Sequence, residues 1–168
     1  ALVYVSQVSQ ADALRHGIEH WRRHRGRCMG SVYWQLNDNW PVASWSSIDY
    51  YGRWKALHYV AARSYDNVLV SCDGDEATAA LHVSNEGAEP IEGTLRWSLV
   101  SLDGRVVDSS SVTVAMPAFA TREIARLDFG AQARPAFGRE HLLSFSLEIE
   151  GRRSRHGVHC FAPYKSLA

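Results

Sequence analysis

The hydrophobic period of this chain changes once, near Asp66, and that change constrains its fold more than any other feature. Upstream, apolar residues recur at spacings of three and four. Downstream, they alternate with polar residues in short runs separated by turn residues. The two periods belong to different kinds of element, so the expectation is two domains, residues 1–65 and 66–168. A length of 168 residues allows one or two domains with cores of their own.

Seven alternating runs are expected as strands, at 67–71, 77–85, 91–101, 105–115, 121–127, 141–150 and 154–161. Leu95, Trp97 and Leu99 share one face, as do Leu143, Phe145, Leu147 and Ile149, and both sets should point inward. Asp103-Gly104 reads as a two-residue hairpin between the third and fourth runs. Glu86-Gly87, Pro117 and Pro135 punctuate the others. Seven such strands in about a hundred residues imply an all-β immunoglobulin-like sandwich. Trp97 and Phe145 fall on core positions, which leaves no line of exposed aromatics for stacking on sugars.

The upstream part opens with a helix over 6–24, its stripe formed by Val8, Ala11, Leu14, Ile18 and Trp21. Ser6 or Ser9 is placed to cap its start. Arg22, Arg23, His24 and Arg25 suit the negative end of its dipole, and Gly26 its termination. His16, His20 and His24 form a second stripe opposite the apolar one. With no carboxylate or thiol beside them, they are expected on a polar outer face rather than around a metal. Residues 29–36 form an apolar run that suits a parallel strand buried on both faces, and 53–65 regain helical spacing through Trp54, Leu57, Val60 and Ala61. A lone strand between two helices leaves its own backbone groups unpaired. Residues 1–65 are therefore expected to be the last turn of a larger α/β structure.

Between strand and helix lies a polar aromatic loop. Residues 29–59 hold four of the six tryptophans, and α/β barrels build their active sites from loops in this position. Lys plus Arg equals Asp plus Glu at 18 each, so neither a nucleic acid nor an anionic membrane is an expected partner. Cys28, Cys72 and Cys160 are odd in number and form no CxxC, which supports neither a disulfide framework nor a zinc site; they are expected buried or inert. No apolar run reaches membrane-spanning length and the N-terminus carries no charged-then-apolar leader pattern, so the compartment stays open.

The stretch CMGSVYWQLNDNWPVASWSSIDYYGRWKALHY resembles the last barrel strand, active-site loop and final helix of β-mannosidases of glycoside hydrolase family 2. ALVYVSQVSQADALRHGIEHWRR resembles the stretch before it, and the sandwich with its FAPYKSL ending resembles the domain that follows the barrel. The resemblance implies an α/β barrel C-terminal fragment (helix, last strand, last helix) at 1–65, followed by the sandwich at 66–168. It also implies a retaining exo-β-mannosidase acting on terminal β-mannose, with no cofactor or metal. Such chemistry uses two carboxylates about 5–5.5 Å apart. The family places both glutamates on earlier barrel strands, hence upstream of Ala1. Glu19, Asp38 and Asp49 match neither position, and no catalytic residue is assigned in this chain.

What the resemblance implies here is a wall of the sugar pocket, completed by the remainder of the barrel. Trp34 stands where related barrels place a tryptophan under the reacting ring; the alternative is a buried barrel-core residue. Gln35, Asn37, Asp38 and Trp40 can bond sugar hydroxyls, hold Trp34 in place, or simply anchor the loop. Trp45, Asp49, Tyr50 and Tyr51 are expected to pack or cap it, with Asp49 serving an N-cap or turn ahead of Arg53. Trp54 and His58 are expected to pack against the barrel or the sandwich. Two other readings stay open: an exo-glucosaminidase-like member of the same family, and a non-catalytic Ig-like binding module.

Overall fold

The alternating runs fold into seven antiparallel strands: β1 (Val68–Gly74), β2 (Thr78–Asn85), β3 (Ile91–Ser101), β4 (Val106–Met116), β5 (Ala120–Asp128), β6 (His141–Glu148) and β7 (Arg155–Cys160). The structure is a computed structural model that describes residues 1–130 and 136–167; Pro135, expected at a turn, lies outside the described residues. Two compact units are present, Ala1–Asp66 and Asn67–Ala168.

In the second unit the strands form two sheets, ordered β1-β2-β5 and β4-β3-β6-β7. Val68, Val70, Leu81 and Val83 of the first sheet pack with Leu95, Leu99, Val114, Leu143, Phe145 and Leu147 of the second. The inward set read from the alternation is thus the core, with the exception of Trp97. Each fully buried aliphatic side chain contributes about 1.5–3 kcal/mol relative to exposure. Trp97 is only half-buried, at the margin of the core, edge-on to Phe129 with ring centroids 6.2 Å apart. A short helical turn that the periodicity did not reveal, α3 (Phe137–Glu140), inserts Phe137 beside Phe129 and Phe161.

The β3–β4 connection differs in detail from the expected two-residue hairpin. The Gly104 N–H donates to the Ser101 carbonyl, and the Ser101 N–H to the Arg105 carbonyl, so three residues form the loop. Gly104 takes φ +89°, a left-handed conformation that restores the strand twist after the first turn. The Asp103 carboxylate accepts from the Arg105 N–H and the Ser101 hydroxyl, which makes Asp103-Gly104 a turn signal for a longer turn than expected.

In the first unit, α1 (Leu2–Arg23) starts four residues earlier than the sequence suggested. Neither Ser6 nor Ser9 caps it: Ala1 is the N-cap, and Ser6 Oγ donates one turn back to the Val3 carbonyl. Its C-terminus is closed by Arg27 and Cys28 N–H groups donating to the His24 carbonyl, with Gly26 at φ +96°. His16, His20 and His24 are exposed. The second helix, α2 (Ala56–Ser64), begins three residues later than expected.

The two helices run parallel. Near their starts the Ala56 N–H points to Gln7 Oε1 at 3.4 Å, and near their ends Arg22 Nη1 donates to the Ser64 and Asp66 carbonyls at 2.6 and 2.8 Å. Buried Ala11, Ile18, Leu57 and Ala61 lie on these helices. The connecting chain returns in the opposite sense. Ser31 meets the Tyr65 hydroxyl at the C-terminal end of α2, while Asp38 meets Lys55 at its N-terminal end.

That returning chain corrects the expectation of a strand at 29–36 buried on both faces. It is extended but forms no strand, and only the isolated bridges Asn37–Ile48 and Ile48–Trp54 occur nearby. Alternate residues Ser31, Tyr33 and Gln35 are half-buried, whereas Val32, Trp34 and Leu36 are exposed, Val32 by 94%. The reason is the lack of neighbours: with no paired strand on either side, one face of the run has nothing to pack on. The three cysteines are half-buried.

Gly157 provides a test of the sandwich core, since a Cβ there would stand 2.5 Å from Cζ of the buried Phe145 ring on the paired strand. Gly157→Ala should lower stability by about 1–3 kcal/mol through overpacking. The loss should shrink in a Phe145→Leu background, read from urea-unfolding midpoints of all four chains.

Candidate functional site

The 37–55 segment is held by two polar centres on adjacent serines. Ser46 and Ser47 are both fully buried. In an extended stretch neighbouring side chains point to opposite sides, and these two do so toward different partners.

Ser47 faces the returning chain and α2. Its Oγ lies 2.9 Å from the Leu36 carbonyl, 2.9 Å from the Tyr33 hydroxyl and 3.0 Å from His58 Nδ1. Its N–H donates to the Gln35 carbonyl, and its carbonyl accepts from the Lys55 N–H. Ile48 N–H to the Leu36 carbonyl and Asp38 N–H to the Ile48 carbonyl complete a short parallel bridge.

Ser46 faces Asp38, which is only 5% exposed. Ser44 Oγ donates to Asp38 Oδ1, and Ser46 Oγ donates to Oδ2 at 2.7 Å. Lys55 Nζ reaches Oδ2 at 3.2 Å, Ser46 Oγ at 2.7 Å and the Ser44 carbonyl at 3.4 Å. The serine hydroxyls, Ser44 first, and the Lys55 ammonium hold the Asp38 carboxyl below its ordinary value despite the opposing effect of desolvation.

Asp49 builds the turn into α2. Its Oδ1 accepts from the Tyr51 and Arg53 N–H groups, both at 2.9 Å, and its Oδ2 from Arg53 Nε at 2.6 Å. Desolvation pushes this carboxyl upward, but the hydrogen bonds and charge of Arg53 prevail and lower it. Gly52 at φ +79° completes the turn. The turn role expected of Asp49 is therefore present, and it delays the start of α2 to Ala56. Glu19 stands apart on α1: burial raises its carboxyl, opposed by Arg15, which lies 3.4 Å away, and by Arg23.

The other residues expected at the site are distributed unevenly. Trp34 and Trp40 are 72% and 62% exposed, and Trp45 is exposed as well. Among the described residues, none of these three rings stacks on another aromatic ring. The Trp34–Gln35 peptide bond is cis. Gln35 Nε2 donates to the Asn37 carbonyl and Asn37 Nδ2 to the Asp38 carbonyl, so both amides serve the loop backbone. Tyr50 and Tyr51 are exposed with rings edge-to-face at 5.2 Å. Trp54 lies against His58 and Tyr59, at 4.4 and 5.1 Å between centroids. Sequence reading gave Lys55, Ser44, Ser46 and Ser47 no role. The only signal for them was the density of small hydroxyls in ASWSS followed by a lysine, which does not reveal a shared partner.

The Asp38 centre sets a pH dependence. A carboxylate whose folded value is lowered stabilises the fold fully above its unfolded value, near 3.8, and loses that contribution as pH falls through the folded value. Wild type should exceed Asp38→Asn in thermal midpoint at pH 7, and the gap should narrow below about pH 3.8. Tryptophan fluorescence reads this, because five of the six tryptophans lie in Ala1–Asp66.

Residues 77–166 match the family model of the Mannosidase Ig/CBM-like domain. The chain is 34% identical over 161 residues to Beta-mannosidase A of Aspergillus terreus, a match covering 90% of this chain and 17% of that protein. It is 33% identical over 162 residues to Beta-mannosidase A of Neosartorya fischeri, again covering 90% and 17%. The chain thus spans about 17% of the length of these curated relatives. Among solved structures, a β-D-mannosidase from Dictyoglomus thermophilum superposes with TM-score 0.87 at 27% identity, covering 98% of this chain and 20% of that one. An exo-chitosanase from Amycolatopsis orientalis shares the fold, with TM-score 0.72 at 19% identity over 92% of this chain and 18% of that one.

Proposed function

The chain belongs to the Mannosidase Ig/CBM-like domain family, and from that premise we propose that it is part of a retaining exo-β-mannosidase of glycoside hydrolase family 2. Residues 1–65 are the last helix, strand and helix of its catalytic barrel, and 66–168 are the accessory sandwich. The observation that carries this reading is the arrangement in the first unit: two parallel helices joined by an extended segment running back between their ends. This is the connectivity of a βα barrel turn, with the sheet neighbours absent. The uncovered apolar row of Val32, Trp34 and Leu36 is the face such a strand would turn to a barrel interior. The relatives named as β-mannosidases, six times or so longer than this chain, support the same reading.

In this proposal Trp34, at the end of the returning segment, forms the apolar floor of the sugar pocket, and Trp40 lines its rim. A flat ring meets the C–H face of a pyranose while polar groups at the edges take its hydroxyls. Gln35 and Asn37 hold the turn between them. Asp38 is an anchor of the loop, since both of its oxygens are occupied by Ser44, Ser46 and Lys55. The nucleophile and the acid are glutamates of other barrel strands, and the substrate is a terminal β-mannoside bound by the whole enzyme.

In the full-length enzyme, Trp34→Ala should lower kcat/KM for an aryl β-mannoside by about tenfold or more, equivalent to at least ~1.4 kcal/mol of transition-state binding. An unchanged value removes Trp34 from the pocket. The isolated 168-residue chain should release no aryl alcohol above the uncatalysed rate; measurable turnover would contradict the placement of both carboxylates outside it.

A further inference from the structure

We propose that Lys55 is a positioning residue of the sugar pocket, acting with Ser44 and Ser46 through Asp38 to hold the 37–48 loop in the arrangement that presents Trp40. This rests on the reading of residues 1–65 as a pocket wall.

Three separate stretches of chain meet at one carboxylate. Asp38 begins the loop, Ser44 and Ser46 end it, and Lys55 precedes α2. Between Asp38 and Ser44, residues 39–43 are all exposed and include Trp40. Among the described residues, no backbone–backbone hydrogen bond is made by 39–45. A loop without a backbone ladder takes its shape from its side-chain ties, and the bond from Ser44 Oγ to Asp38 closes this one at its base.

Lys55 is what makes that closure stable. Its side chain is 13% exposed and that of Asp38 1%. All three ammonium hydrogens are directed inward, to Asp38 Oδ2, Ser46 Oγ and the Ser44 carbonyl. No donor remains for a sugar, so Lys55 acts on the substrate only through the loop. Removing it leaves a buried carboxylate without its counter-charge, and the cheapest relief is for the loop to open toward water. A second tie is independent of the first. Ser47 connects the returning chain to α2 through His58, so the tie near Trp34 does not involve the Lys55 side chain, whereas the closure at the base of the Trp40 stretch does.

The test uses the full-length enzyme with Lys55→Met, Asp38→Asn, the double variant, Lys55→Arg and the mild variant Ser44→Ala. Kinetics on an aryl β-mannoside and thermal midpoints are measured for each. A positioning role lowers ground-state and transition-state binding together, so Lys55→Met should raise KM about tenfold while kcat stays within about threefold. Ser44→Ala should shift KM in the same direction by less. The double variant should bind better than Lys55→Met alone, because it carries no buried unpaired charge, and Lys55→Arg should restore part of the loss. If thermal midpoints fall while KM and kcat keep their wild-type values in every variant, Lys55, Asp38 and Ser44 are structural only and the inference is overturned. If the folded wild-type enzyme does not cleave the β-mannoside, the β-mannosidase reading itself fails, and if it does but Trp34→Ala leaves kcat/KM unchanged, the pocket-wall reading fails; both results are distinct from the first.

Discussion

The first unit depends on a carboxylate taken out of water. Asp38 is almost fully buried, and desolvation alone would drive its charge back to solvent or to a proton. Two serine hydroxyls and an ammonium reverse that balance and keep the carboxyl ionised. Because the partners come from three stretches of chain, satisfying one charge also fixes a loop, a returning segment and the start of a helix. The neighbouring Ser47 repeats the device on the other side, with the Tyr33 hydroxyl, the Leu36 carbonyl and His58. Apolar burial is sparse here: Ala11, Ile18, Leu57 and Ala61 are the buried hydrophobics of these residues, so polar ties carry much of the local order.

The second unit is built in the opposite way. Its strands bury a continuous apolar layer, and its turns are set by short-range chemistry such as Asp103 and Gly104. Cross-strand fit does the rest: Gly157 leaves room for the Phe145 ring, and Phe129, Phe137 and Phe161 close the end of the core. This contrast explains how one chain can hold both a sandwich with a buried core of its own and a segment whose apolar face lies open. A sheet that pairs its own strands needs no help, whereas a single extended run does.

Legibility followed the same division. The seven strands could be read because alternation is a local signal that burial on one side of a sheet enforces. The helical stripe of α1 was legible in type but not in bounds: Ser6 and Ser9 resembled caps, yet nothing stopped the helix from extending back to Leu2. Residues 29–36 were legible as an extended apolar run and as one without paired neighbours, but the expectation of burial on both faces did not hold, because Val32, Trp34 and Leu36 are exposed. Asp49 was legible because an aspartate four residues before an arginine and three before a glycine makes its contacts locally.

By itself, the sequence determined the all-β character of residues beyond Asp66, the inward set of the sandwich, the presence of two helices before it and the concentration of tryptophan between them. Those properties arise from periodicity and turn chemistry, which act over a few residues. Only the tertiary structure decided that the helices run parallel, that Lys55 pairs with Asp38, and that Ser46 and Ser47 serve different centres. Those outcomes join residues 6 to 49 positions apart, and a contact at such separation is fixed by how whole segments pack, which no local pattern encodes.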